Sequence, residues 1–171
     1  MRKLFLLCLM AIVSVAAHAA DADTLSLRTL FREMPDSILP YLSRNNRLDM
    51  IDFMDSNMKA EVTNSFGGKT LMTHLSDSLL TIQLNEACKV ELLLLTAAHD
   101  APDGCRSVVA VLRTVGVENG IRETDEPAFY SVKWNRMATR PNLVKEDSQR
   151  LSARLVKLNI INFVNKMLNK D

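Results

Sequence analysis

Asp49, Asp52 and Asp55 recur three residues apart in "RLDMIDFMDSNMKAEV" (47–62). Three carboxylates converging on one point could hold a hard cation or share a proton. At about 100° per residue they instead fan over roughly a third of a helix circumference. Met50, Ile51, Phe53, Met54 and Met58 take the opposite arc, which makes the acids the wet side of an amphipathic helix. A calcium loop also needs alternating oxygen ligands and a glycine, and this stretch has neither.

"HLSDS" gathers His74, Ser76 and Asp77, the residue types of a nucleophilic hydrolase. No G-x-S-x-G elbow accompanies them, so a polar strand end followed by a turn is the simpler reading. "GGKT" (67–70) resembles the end of a phosphate-binding loop. Thr63 stands where the first glycine belongs, and a helix is expected ahead of it where that motif wants a strand. His74 and His99 are the histidines that remain beyond His18, and a zinc site would need nearly all of them and the cysteines together. His99, beside Asp100 and Asp103, is the better placed of the two for a metal. No haem, flavin or dinucleotide signature is present, so no cofactor and no metal is assigned. Tyr130, Trp134 and Arg136, near Lys133 and Arg140, could meet a sugar or a peptide through aromatic and guanidinium contacts. Trp134, two residues from Val132, also has the spacing of a core residue. These three form the candidate contact surface.

The elements that must position these residues change period along the chain. Leu27, Leu30 and Phe31 have helical spacing, and Pro35 and Pro40 restrict the segment after them to a turn or a single helical turn. A second helix is expected from an N-cap at Asn46 to about Met58. After "FGGKT" the period becomes two. "TLMTHLSDS" is a weak strand, and Leu80, Ile82 and Leu84 alternate with polar neighbours. "CKVELLLLT" and "CRSVVAVLRTVGV" are apolar nearly throughout, as expected of central strands covered on both faces. Asn119-Gly120 marks a turn, "ETDEP" an acidic loop, and "AFYSVKWNRM" a last alternating strand. From Lys145 onward Leu151, Leu155 and Leu158 have helical spacing, with Asp147 as a cap. Val156, Leu158 and Ile160 alternate as in a strand, so a helix with a break in register is expected.

The N-terminus carries Arg2 and Lys3, an apolar run from Leu4 to Val15, and Ala17-His18-Ala19, the order of a secretory signal peptide cleaved near Ala19. The run is too short to span a bilayer, and Cys8 lies too early in it for a lipoprotein site. The expected organisation is a signal peptide at 1–19 and one domain at 20–171, exported to the periplasm or the exterior. Loss of Arg2 and Lys3 leaves one more acid than base, which carries no electrostatic footprint for nucleic acid. Cys88 and Cys105 would meet a compartment that permits disulfides. A hairpin centred at Asp100-Ala101 sets Cys105 opposite Thr96 and Cys88 far down the ladder, which disfavours a bridge.

"MPDSILPYL", "NNRLDMIDFMDSNMKAEVTN" and "FYSVKWNRM" carry a resemblance, over roughly residues 27 to 138, to a domain-of-unknown-function family of exported Bacteroidales proteins. It implies export and a single domain, transfers no catalytic residue, and places a divergent C-terminus at 139–171. The sequence as a whole predicts an α+β domain, with N-terminal helices packed on a mostly antiparallel β-meander of about four or five strands and then a C-terminal helix. The favoured function is a small exported binding or accessory protein without catalysis, its partner an unidentified protein or small molecule. The alternatives are a hydrolase using His74, Ser76 and Asp77, a metal enzyme near His99, and a subunit of an envelope assembly.

Overall fold

The computed structural model describes residues 25–100, 104–116 and 122–168, with 122, 123 and 159–168 as backbone alone. The proposed signal peptide and the Asn119-Gly120 turn lie outside these residues. Two helices lead, α1 (Leu27–Arg32) and α2 (Arg44–Asp55). Ser26 caps α1, accepting from the Thr29 N–H. Ser43 caps α2 through a capping box closed by Asn46, so the helix starts three residues before the Asn46 cap expected from the sequence. It also ends earlier, at Asp55.

Seven strands come next: β1 (Glu61–Thr63), β2 (Lys69–Leu75), β3 (Leu79–Gln83), β4 (Cys88–Thr96), β5 (Ser107–Gly116), β6 (Arg122–Thr124) and β7 (Ala128–Ser131). All pair antiparallel with their neighbours, and β6 and β7 share the outer edge of β5. The sheet exceeds the four or five strands expected because β1 and β6, three residues each, are too short to show a period. β4 and β5 pair along nine positions, from Cys88↔Val115 to Thr96↔Ser107. The register is two residues from the expected one, with Thr96 facing Ser107 rather than Cys105.

Both faces of the sheet are covered. α1, α2 and the loop between them pack on Leu80, Ile82, Val90, Leu92, Val109 and Val111. The opposite face buries Leu93, Leu95, Val108, Ala110, Leu112 and Phe129 beneath α3 (Lys145–Leu168), which inserts Leu151 and Leu158. This double covering is why β4 and β5 are apolar at successive positions. α3 runs as one helix, so the break in register expected there is absent from its backbone. Asp147 caps the sheet rather than the helix. Its carboxylate accepts from the Thr96 N–H at 2.6 Å, while the Val144 N–H donates to the Thr96 carbonyl at 3.0 Å. Midway along α3, Arg154 reaches Glu91 of β4 with two hydrogen bonds of 2.5 and 2.8 Å.

The strand expected in "AFYSVKWNRM" ends at Ser131, and the chain turns back so that Tyr130 bridges Arg136. Trp134 sits in that turn at φ +62°, a region non-glycine residues seldom enter. Its indole is buried and donates from Nε1 to the Leu30 carbonyl at 3.0 Å, locking the turn onto α1.

Candidate functional site

The segment between the first two helices, residues 34–42, has two prolines and no regular structure, yet Met34, Leu39 and Leu42 are buried. Arg47 explains its order. This side chain of α2 is only 1% exposed, and its guanidinium donates from Nε to the Phe31 carbonyl at 3.0 Å and from Nη1 to the Leu42 carbonyl at 2.8 Å. Nη2 donates to the Met34 carbonyl, and Nη1 also meets the Asp36 carboxylate at 2.7 Å. One planar donor set thus holds both ends of the loop, a task suited to arginine's five rigid N–H groups. Nothing in the sequence distinguishes Arg47 from the exposed arginines around it, so reasoning from sequence misses it.

The loop forms a wall of a cleft of about 290 Å³ lined by Ile38, Val111, Arg113, Asp125, Glu126, Ala128, Tyr130 and Arg136. A β-bulge shapes its mouth. Val111 pairs with Ala128 and Thr114 with Thr124, so Leu112 and Arg113 face three residues, Asp125, Glu126 and Pro127. The Asp125 N–H still donates to the Arg113 carbonyl at 2.9 Å. In a regular strand Asp125 and Glu126 would point to opposite faces; across the bulge both line the cleft. Pro127, which has no N–H to give, sits where the ladder is already interrupted.

Arg113, Arg136, Asp125 and Glu126 are exposed, and no hydrogen bond or ion pair engages their side chains among the described residues. Arg113 also lines a second, more apolar cleft of about 420 Å³, formed with Leu39, Pro40, Tyr41, Leu84, Cys88 and Val115 among others. Burial pushes the Cys88 thiol above its ordinary pKa, the nearby Arg113 opposing this and Asp125 adding to it, so the sulfur at this rim is a neutral thiol. Cys88 lies across from Val115, with the nine-residue length of β4 between it and the Cys105 end of the ladder. That is roughly 25–30 Å at ordinary strand rise, beyond the reach of a disulfide.

Of the candidate contact surface, Tyr130 and Arg136 meet at the first cleft, whereas Trp134 lies behind Tyr130 in the core, ring centres 6.0 Å apart. The remaining candidates separate. Asp49, Asp52 and Asp55 are exposed, and Asp55 pairs with Arg28 at 2.5–2.6 Å. Ser76 spends its hydroxyl on Leu79, donating to the carbonyl and accepting from the N–H, and no hydrogen bond joins it to His74 or Asp77. "GGKT" comes after a strand rather than a helix, but it closes the β1–β2 hairpin. Asn64 accepts from the Phe66 and Gly68 N–H groups, and the buried Thr70 hydroxyl donates to the Leu84 carbonyl at 2.7 Å. His99 and Asp100 line a small recess with Arg140 and Asn142, while Asp103 lies outside the described residues. No group of three or more His, Cys, Asp or Glu is placed to hold a metal ion among the described residues. No helix there is long and apolar enough to cross a membrane.

The sequence model of the family described as "Protein of unknown function (DUF3256)" matches residues 19–170, and the chain belongs to that family. The match includes the C-terminal segment that the resemblance placed outside the shared region, so α3 is part of the family's domain. No curated protein matches the chain. A solved domain of an uncharacterized protein from Porphyromonas gingivalis W83 is similar at 22% identity and a TM-score of 0.48. The similarity covers 66% of this chain and 54% of that one, so the chain spans about half its neighbour's length.

Proposed function

We propose that this member of the family is a small exported binding or accessory protein, working without catalysis in the periplasm or outside the cell. Export is supported by the basic, apolar and small-residue order of the first 19 residues. The observation that carries binding is the bulge-built cleft, where two guanidinium groups, two carboxylates and the Tyr130 phenol line one hollow, the four charges having no hydrogen bond or ion pair among the described residues. Unpaired charged groups gathered around a concave surface are an arrangement suited to recognition. The commitment of Ser76 to its own turn speaks against the hydrolase reading.

The experiment is a ¹⁵N–¹H NMR titration of protein purified from an exporting host, against a panel of neutral and acidic saccharides and short peptides. Saturable shifts of the Ala128, Tyr130 and Arg136 amides support the reading. A panel that leaves the cleft unmoved overturns it. The mass of the same sample tests cleavage after Ala19.

A further inference from the structure

Resting on that reading, we propose that the cleft takes a peptide with a free C-terminal carboxylate preceded by an apolar side chain. Arg113 belongs to two hollows at once. On one side lies the polar cleft of Asp125, Glu126 and Arg136, and on the other the recess walled by Leu39, Leu84 and Val115. A guanidinium at the junction of an apolar recess and a polar trough matches a chain end, where a carboxylate and a side chain leave the same carbon. The carboxylate takes the forked donors of Arg113, and the side chain enters the recess. Asp125 and Glu126, acceptors only when ionised, face the N–H groups of the preceding residues, and Arg136 donates to a peptide carbonyl.

Both hollows, about 290 and 420 Å³, lie within or close to the range of small-ligand sites. The polar trough continues past Glu126 and Arg136 into a third hollow with Pro127, Phe129 and Met137, which gives the rest of an extended ligand a path around the sheet edge. A saccharide would use the charged groups but leave the apolar recess empty. An inorganic anion would meet two carboxylates with nothing to offer them. The peptide uses all three surfaces.

The probe is acetyl-Ala-Ala-Leu with a free carboxylate, compared with its C-terminal amide, titrated into the protein from the exporting host by calorimetry and NMR. The expected result is binding of the acid at least tenfold tighter than the amide, with shifts at Arg113, Val115 and Tyr130. Arg113→Gln should reduce affinity for the acid at least tenfold and leave affinity for the amide unchanged. Arg113 is exposed, so this variant keeps its fold. Equal affinity for acid and amide, or binding of neither, overturns the peptide assignment. If saccharides then move the cleft amides, the broader binding reading survives alone. If no member of either set moves them, both fall.

Discussion

At the scale of single residues, Arg47 governs more than its own surroundings. Its guanidinium is the common partner of the Phe31, Met34 and Leu42 carbonyls. Replacing it with the shorter, apolar methionine leaves the Met34 and Leu42 carbonyls without this donor, at about 1–3 kcal/mol for each buried group left unsatisfied. Arg47→Met should therefore lower stability by about 3 kcal/mol or more, seen as a fall in the urea midpoint. Arg47→Lys should recover little, since one ammonium cannot span the set. Glu91 is the second such residue. Burial pushes its carboxyl up, but hydrogen bonds from Arg154 and Lys89, with their charges, together hold it below its ordinary value near 4.5. Its folded pKa is thus lower than its unfolded one. The stabilisation is complete above the unfolded value and fades as pH falls through the folded one. Acid unfolding of Glu91→Gln compared with the parent isolates this contribution. The parent should lose stability more steeply below about pH 4.5, where Glu91 takes up its proton, and the difference between the two proteins should be constant at neutral pH. Neither residue is legible in the sequence. A buried arginine and a buried glutamate look like their solvated neighbours until the fold brings partners from 13 and 63 residues away.

The elements are legible where their period is long. β4 has the limits its sequence suggests, Cys88–Thr96, because double burial leaves a continuous apolar run. α1 shows itself in three leucine and phenylalanine positions that are all buried. The edge strand does not, because the interruption between β6 and β7 breaks its period. The bulge at Asp125–Pro127 reads in sequence as an acidic loop, and only pairing with β5 turns it into the mouth of a cleft. Trp134 misleads in the opposite way, its two-residue spacing from Val132 suggesting a strand where the chain turns through positive φ. The bulge makes a prediction of its own. Deleting Glu126 leaves two residues facing two, so the ladder closes and the paired carboxylates are separated. Circular dichroism should show the fold retained, and the NMR titration should show ligand affinity reduced at least tenfold. Retained affinity would mean that the doublet is incidental to the site.

The whole molecule is a sheet between two helical layers, and the layers differ in how they are attached. The N-terminal layer is joined through a broad apolar core that includes Met34, Met50 and Ile51. The C-terminal layer is one helix placed by Leu151, Leu158 and the polar contacts of Asp147, Arg150 and Arg154. Leu151 is fully buried, so Leu151→Ala should cost about 2–4 kcal/mol by chemical denaturation. Ending the chain after Asn142 uncovers Leu93, Leu95, Val108, Ala110 and Phe129, and the product should bind a hydrophobic dye that the intact protein does not.

The strand order also sets a timetable. Each strand from β1 to β6 lies beside the one before it in the chain, so the sheet can assemble hairpin by hairpin through short loops. Folding speed depends on the sequence separation of the contacts that must form. Contacts of larger separation should close after these hairpins, among them Trp134 to Leu30, 104 residues apart, and the Arg154–Glu91 pair of α3, 63 residues apart. A folding chain would gain its sheet early and its C-terminal seal late. Arg154→Met should then accelerate unfolding while leaving refolding nearly unchanged, since the lost contact is absent from the transition state. A stopped-flow chevron whose unfolding arm moves alone is the signature. Matching movement of the folding arm would place the helix in the nucleus instead.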